Sequence, residues 1–228
     1  MTTLRLLSYN IRSLRDDAEA VYRVIKDAEP HVVAIQEAPR FLRWRSIAAR
    51  IARRSGLVVV TGGRTAAGNL LLSGLEVTVD EATDVLFSRD RRLHQRGTAL
   101  AKFTLGGRPF AVAGTHLDLV EEPRIRHVAE LHAAADAFGV TEHPLIVAGD
   151  LNDDPGSAVW QALGGRGVDA WAIAGTGDGI TSSVILPKRR IDAVFVDPRL
   201  AVATASVINT ADVQIASDHR PVLVEIDL

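Results

Sequence analysis

Apolar residues in this chain come in short runs, and many of the runs end on a polar residue. Leu4–Asn10 alternates and then turns apolar, the pattern of a buried strand. Asp16 and Asp17 can cap a helix whose Val21, Val24, Ile25 and Ala28 fall at helical spacing, and Pro30 ends it. His31–Ile35 reads as a second buried strand. Pro39 suits the first turn of another helix, expected to run to about Arg54. Val58–Thr61, Leu70–Ser73, Leu75–Val79 and Val85–Phe87 read as short strands. Thr98–Leu105 and Pro109–Thr115 flank Gly106-Gly107, a hairpin signal. A helix over about Arg124–Phe138 leads to the strand Leu145–Ala148, and a short helix is expected near Ser157–Leu163. Ile191–Val196, Ala201–Ile208 and Pro221–Ile226 are strands. Many strands, few helices and a mixture of hairpins with crossovers predict an α/β fold of two packed sheets covered by helices. No repeat or low-complexity linker divides the chain, so residues 1–228 are read as one domain.

Composition narrows the chemistry. There is no cysteine, which excludes thiolate catalysis and thiolate metal sites. No apolar run approaches the ~20 residues of a membrane-spanning helix, and Met1-Thr2-Thr3 leads directly into Leu4 without a leader pattern, so a cytoplasmic location is the expectation. Net charge is −2, which gives no support for general binding to a polyanion. Arginine is nevertheless clustered. Arg40, Arg43, Arg45, Arg50, Arg53 and Arg54 read as a solvated helix face. Arg89, Arg91, Arg92 and Arg96, and then Lys188, Arg189 and Arg190, lie next to polar motifs and are candidates for a substrate rim.

The polar residues that end the strands share one chemistry. Two strand–helix–strand units, Leu4–Glu37 and Pro109–Asn152, have right-handed crossovers, so the strands of each unit are parallel and their C-terminal ends share an edge. Asn10 lies with Glu37 in the first unit, and His116 with Asp150 and Asn152 in the second. Asp192 and Asp218-His219 precede their strands, and antiparallel pairing brings them to the same edge. Eight polar side chains thus converge from six segments. Glu37, Asp150, Asp218 and the amide oxygens of Asn10 and Asn152 are hard oxygen donors suited to Mg²⁺ or Mn²⁺. Taken singly each motif has an ordinary reading, such as Asp118 in Thr115-His116-Leu117-Asp118 capping a helix. Six in order, each at a strand end, favour a site.

The ordered series Ser8-Tyr9-Asn10, Gln36-Glu37, Gly68-Asn69, Thr115-His116-Leu117, Gly149-Asp150-Leu151-Asn152, Arg190-Ile191-Asp192 and Ser217-Asp218-His219-Arg220-Pro221 resembles the endonuclease/exonuclease/phosphatase family. That resemblance implies a four-layer α/β sandwich of two mixed sheets flanked by helices, and a metal-dependent phosphoester hydrolase, a phosphodiesterase or phosphatase. It implies that Glu37 is the principal metal carboxylate, assisted by Asn10 with Asp218 near the ion. Asp150 would position or deprotonate the attacking water, and Asn152 would orient water and phosphate. His219 would contact the scissile phosphate, oriented by Asp192, with His116 as a second phosphate-side histidine. Asn69, Arg96 and Thr181 are expected substrate contacts. Three positions depart from the family's pattern: Gly74 after Ser73, His127, and Ser182 after Thr181. The remaining histidines, His31, His94, His127, His132 and His143, are read as structural or exposed, with His94 nearest a substrate role.

The expected partner is a small or flexible phosphoester. A nuclease acting on DNA or RNA is the competing reading, with nucleic acid the less favoured substrate. A non-catalytic phospho-ligand-binding module is the third. No protein partner is implied.

Overall fold

The computed structural model describes residues 2–182 and 189–228. Its first half contains β1 (Thr3–Asn10), α1 (Ala18–Asp27), β2 (Val32–Gln36), α2 (Trp44–Ser55), β3 (Val58–Gly62) and β4 (Leu70–Ser73). Next come β5 (Thr78–Leu86), β6 (Gly97–Leu105), β7 (Arg108–His116), α3 (Glu121–Ala137) and β8 (Leu145–Asp150). The last third adds α4 (Ala158–Gly164), β9 (Val168–Asp169), α5 (Ala170–Ala174), β10 (Gly175–Thr176), β11 (Asp192–Val196), β12 (Ala201–Val207), α6 (Ala211–Ala216) and β13 (Val222–Asp227). One sheet has the order β10-β12-β13-β1-β2-β4-β3, and the other β5-β6-β7-β8-β11-β9. Both are mixed: β1 pairs in parallel with β2 and antiparallel with β13, while β7 pairs in parallel with β8, which is antiparallel to β11.

Strand residues alternate between two apolar layers. Leu4 and Leu6 of β1, Val32 and Ala34 of β2, Val112 of β7, Ile146 and Ala148 of β8, and Val194 and Val196 of β11 form one cluster between the sheets. The alternate residues of the first sheet, Leu7, Tyr9, Val33 and Ile35, pack outward against Val21 and Ile25 of α1 and Ile51 of α2. On the second sheet Ala113, Val147 and Phe195 pack outward against Val128 and Leu131 of α3 and Trp160 of α4. Strands covered on both faces need apolar residues at successive positions, which explains their nearly continuous runs. The result is the four-layer sandwich: helices, sheet, sheet, helices. Among the described residues no helix is long and apolar enough to cross a membrane.

Several expected boundaries move. α2 starts at Trp44 instead of Pro39, because Arg43 adopts a left-handed conformation (φ 60°) that cannot continue a helix backwards. Asp17 caps α1, its carboxylate accepting from Ala20 N at 3.0 Å. α3 begins at Glu121, with Pro123 in its first turn. The two strands expected at Leu75–Val79 and Val85–Phe87 are one, β5, carrying a register shift between Val79 and Glu81. β5 is an edge strand, and its charged Asp80, Glu81 and Asp84 mask its apolar pattern while discouraging edge-to-edge pairing. Four small elements, α5, α6, β9 and β10, were not expected; none is long enough to show a period.

One glycine sets the spacing beneath the polar residues. A Cβ placed on Gly149 would lie 2.0 Å from the carbonyl oxygen of Thr115, its register partner on β7. Gly149→Ala must therefore push β8 from β7 one residue before His116 and Asp150 pair. Urea denaturation should show a loss of at least about 1–3 kcal/mol. Gly114→Ala, where the new Cβ meets the Leu71 side chain at 3.2 Å, should cost less. Equal losses would remove this account of Gly149.

Candidate active site

The inward-facing parity of the core strands continues past the end of the core. Asn10 follows Leu4 and Leu6, His116 follows Val112, Asp150 follows Ile146 and Ala148, and Asp192 precedes Val194 and Val196, in each case by an even step. His116, Asp150 and Asp192 are also register partners across β7, β8 and β11. Asn10, His116, Asp150 and Asp192 are all buried, which places a polar layer over one end of the apolar one.

Asp150 is the centre of that layer. Its Oδ2 accepts from Asn10 Nδ2 at 2.9 Å and lies 3.3 Å from His116 Nε2 and 3.7 Å from His219 Nε2. Its Oδ1 accepts from Asn152 N at 3.0 Å. His219 Nδ1 is 2.8 Å from Asp192 Oδ2, leaving Nε2 to face Asp150. Asn152 Nδ2 lies 3.0 Å from both Leu117 O, to which it donates, and His116 Nε2. Glu37 is half-buried, and Asn10 Nδ2 reaches its Oε1 at 3.4 Å.

The two histidines are driven in opposite directions. Burial pushes His116 down to about 3; Asp150 opposes this, while Arg96, His219 and Arg40 add to it. Burial also pushes His219 down, but Asp192, Asp150 and Asp218 outweigh it and hold its pKa at about 10. At neutral pH His219 is therefore a cation and His116 a neutral imidazole. Arg96 is buried, which lowers its pKa, while Asp118, Asp150 and Glu37 oppose the shift.

Two of the expected site residues adopt left-handed backbone: Glu37 (φ 55°) and Asn152 (φ 53°). Asparagine tolerates this conformation; glutamate does so at a cost of about 1–2 kcal/mol. The turn at Glu37 is held by Ser13 N donating to Glu37 O at 3.0 Å and by Ala38 N donating to Gly68 O at 2.8 Å. Gly68 faces this turn at φ 99°, a backbone conformation that suits glycine, and a Cβ placed on it would lie 3.8 Å from the Glu37 Cα.

Asn10, Glu37, His116, Asp150, Asn152, Asp192 and His219 thus come together as the strand ends anticipated. The remaining expectations need correction. The oxygen of Asn10 does not face the carboxylates: Oδ1 accepts from Arg12 N at 3.0 Å, and Nδ2 points at Glu37 and Asp150. Asp218, expected near the metal, pairs with Arg12 Nε at 3.2 Å, and its charge also acts on His219. The ligand atoms that lie within 4.8 Å of one another belong to Asp150, Asp192 and His219. Because Asp192 Oδ2 and His219 Nδ1 are already spent on each other, that trio is a histidine positioned by two carboxylates more than an open metal cradle. Among the described residues Asp192 Oδ1 is nonetheless buried without a hydrogen-bond partner, and three carboxylates, Glu37, Asp150 and Asp192, gather here, a donor set that fits a hard divalent cation.

Thr181 and Asn69 are fully or almost fully buried and act on the scaffold. The Thr181 hydroxyl accepts from Ile191 N at 3.1 Å and Asp192 N at 3.0 Å, and its carbonyl accepts from Arg220 N at 2.8 Å. It therefore joins the strand of Asp192 to the loop of His219. Asn69 Nδ2 donates to Ala66 O and Gly97 O at 2.8 and 2.9 Å. Arg190 of the expected rim is engaged twice by Asp169 and Arg189 by Asp154, while Lys188 lies outside the described residues. The first arginine cluster is not all solvated helix face, because Arg40, Arg43 and Arg45 line a cleft beside the site. His94 is exposed, and His127 stacks on Phe87 with Nε2 at 3.0 Å from Ser88 O.

Three contributors were missed. Arg12 pairs with Asp16 and Asp218; its only sequence signal is its place two residues after Asn10. Asp118 does not cap α3, whose N-cap Val120 has no side-chain cap; it accepts from Val120 N at 3.1 Å and faces Arg96 Nε at 3.6 Å. Ser217 Oγ donates to Asn10 O at 2.7 Å and ties the last loop to β1.

Solved structures share this architecture over nearly full length. An endonuclease/exonuclease/phosphatase from Bacteroides vulgatus is 22% identical, covers 100% of both chains and superposes with a TM-score of 0.84. A mannosyl-6-phosphatase from Bacteroides thetaiotaomicron is 17% identical, with 99% of this chain and 100% of that one covered and a TM-score of 0.83. D. rerio TDP2 complexed with single strand DNA product is 16% identical, covers 100% of both chains and has a TM-score of 0.76. At these identities the likeness shows the fold alone. No curated protein matches the chain. The sequence profile of the Endonuclease/Exonuclease/phosphatase family matches residues 7–219, from β1 to the histidine that Asp192 holds, and the chain belongs to that family.

Proposed function

We propose that the protein is a divalent-metal-dependent phosphoester hydrolase that directs water at phosphorus. The observation that carries this reading is Asp150, a buried carboxylate set within 3.7 Å of the Nε2 atoms of two histidines. Its Oδ2 is placed to take a proton from an attacking water. His219, cationic and fixed through Nδ1 by Asp192, offers Nε2–H to a phosphoryl oxygen, where it opposes developing negative charge. Asn152 holds His116 and the Asp150 carboxylate in position from its left-handed turn. Arg96, whose buried Nε lies 3.6 Å from Asp118 Oδ2 and makes no hydrogen bond among the described residues, supplies a second cation toward the phosphate. Glu37 and Asn10, with Asp218 alongside, would hold Mg²⁺ or Mn²⁺, which stabilises charge on the phosphoryl and leaving oxygens when bound. For Asn10 to be a ligand its amide must turn over, exchanging Nδ2 for Oδ1.

A small or flexible phosphoester is the substrate class that fits best. The chain's net charge is −2, and Arg189 and Arg190 are already neutralised by aspartates. A rigid duplex, whose affinity comes largely from many phosphate contacts, is less well served.

Activity against bis(p-nitrophenyl) phosphate should vanish in EDTA and return with Mg²⁺ or Mn²⁺; full activity in excess chelator would remove the mechanism. Glu37→Gln should raise the metal concentration for half activity more than Asp192→Asn does. Asp150→Asn and His219→Ala should each lower kcat by roughly 10²–10⁴-fold in protein shown by circular dichroism to be folded. Combining Asp192→Asn with His219→Ala should cost little beyond His219→Ala, because the aspartate acts through the histidine; additive losses would break the pairing. Glu37→Gly should abolish metal activation yet leave stability unchanged or raised by up to about 1 kcal/mol, since glycine relieves the left-handed strain. A clear fall in Tm for Glu37→Gly would show that the turn is not strained.

A further inference from the structure

Beside the catalytic cluster lies a cavity of about 750 Å³ that the hydrolytic chemistry does not use. Five arginines line it: Arg40, Arg43 and Arg45 around the start of α2, Arg64 before β4, and Arg89 after β5. Among the described residues none of the five is paired with a carboxylate. Arg40 Nη1 donates to Ala67 O at 3.2 Å, Arg89 Nε donates to Leu93 O at 3.0 Å, and Arg45 lies over the Trp44 ring at 4.2 Å. Some arginines elsewhere on the surface are matched, as Arg166 is by Asp136 at 2.7 Å and Arg199 by Asp197 at 2.7 Å; what sets the cleft apart is that five arginines share one lining that includes no carboxylate. Five like charges gathered without counter-charge, on a chain whose net charge is −2, repel one another and favour an anionic ligand.

The wall is also apolar and open. Phe41 and Leu42 are 78% and 87% exposed. An inorganic anion would use the arginines and leave these side chains idle. Unpaired bases would stack on them, whereas bases inside a duplex already stack on each other. The cleft abuts the catalytic centre by three covalent routes. Arg40 is three residues beyond Glu37, Ala67 two before Asn69, and Gln95 adjoins Arg96. The charge of Arg40 is felt at His116.

We propose that this cleft binds the single-stranded part of a nucleic acid, its phosphates on the five arginines and its bases against the exposed Phe41 and Leu42. That the strand feeds a scissile phosphate to Asp150 and His219 rests on the hydrolase reading of that centre; the binding itself does not.

The test is fluorescence anisotropy of the intact protein with a labelled single strand of about ten nucleotides, in EDTA so that nothing turns over. Binding should weaken with salt at a log–log slope of about −2 to −4, since each neutralised phosphate of a single strand contributes about −0.7. Arg43→Glu combined with Arg45→Glu should weaken binding at least roughly tenfold at low salt, and Phe41→Ala roughly five- to hundredfold. Arg50→Glu, on α2 but outside the cleft, should change it by less than about twofold. The same sequence as a duplex should bind more weakly.

Binding that ignores the Arg43/Arg45 reversal, or a duplex bound as tightly as the strand, would overturn the proposal. So would displacement by tripolyphosphate together with an unaffected Phe41→Ala, which would mark a phosphate site blind to bases. Wild-type turnover of bis(p-nitrophenyl) phosphate with Mg²⁺ separates the two readings. Turnover without strand binding removes the cleft alone, and strand binding without turnover removes the chemistry alone.

Discussion

The hydrogen bond from Asn10 Nδ2 to Asp150 Oδ2 joins the two sheets at the one end of the sandwich where the apolar layer stops. Asn10 ends β1 of the first sheet, and Asp150 ends β8 of the second. A carboxylate this deeply buried must be satisfied or neutralised, since an unpaired buried charge is costly. Asn10, Asn152 and the two histidines meet that demand, and each comes from a different strand end or loop. The demand of one anion therefore fixes how the ends of four segments are arranged. The close approach of β7 and β8 at Gly149, the Thr181 link between Asp192 and the His219 loop, and the Ser217 contact to Asn10 all serve that arrangement.

The same polar layer assigns different states to like residues. His116 and His219 both face Asp150, yet burial beside Arg96 and Arg40 keeps one neutral, while Asp192 and Asp218 keep the other charged. Two imidazoles with separated pKa values give one site a neutral and a cationic partner at a single pH. Strain is placed in the same region. Glu37 and Asn152 hold left-handed backbone where their side chains must leave the path that strand alternation would give them.

Arginine shows how little bulk charge says about a surface. On the far rim Arg189 and Arg190 are cancelled by Asp154 and Asp169, so a run of basic residues leaves little free charge. Around the cleft Arg40, Arg43 and Arg45 have no such partners among the described residues, although they begin a cluster that reads as an ordinary helix face. Pairing, not spacing along the chain, decides which cluster can meet an anion.

The sequence by itself determined the strand ends. Nearly continuous apolar runs require strands covered on both faces, and polar residues directly after them must emerge at the sandwich end; Asn10, His116, Asp150 and Asp192 are legible for that reason. The ordered motifs made the family legible as well. Side-chain rotation and partner choice were not legible, because they depend on neighbours from distant segments. Only the tertiary structure turned the Asn10 nitrogen toward Asp150, moved Asp218 to Arg12, and buried Thr181 and Asn69 in the scaffold. It also brought Arg64 and Arg89 beside Arg40, a contact across the fold that no local pattern encodes. Local pattern fixes where a residue leaves the backbone, while the fields and contacts of residues far along the chain fix what it does there.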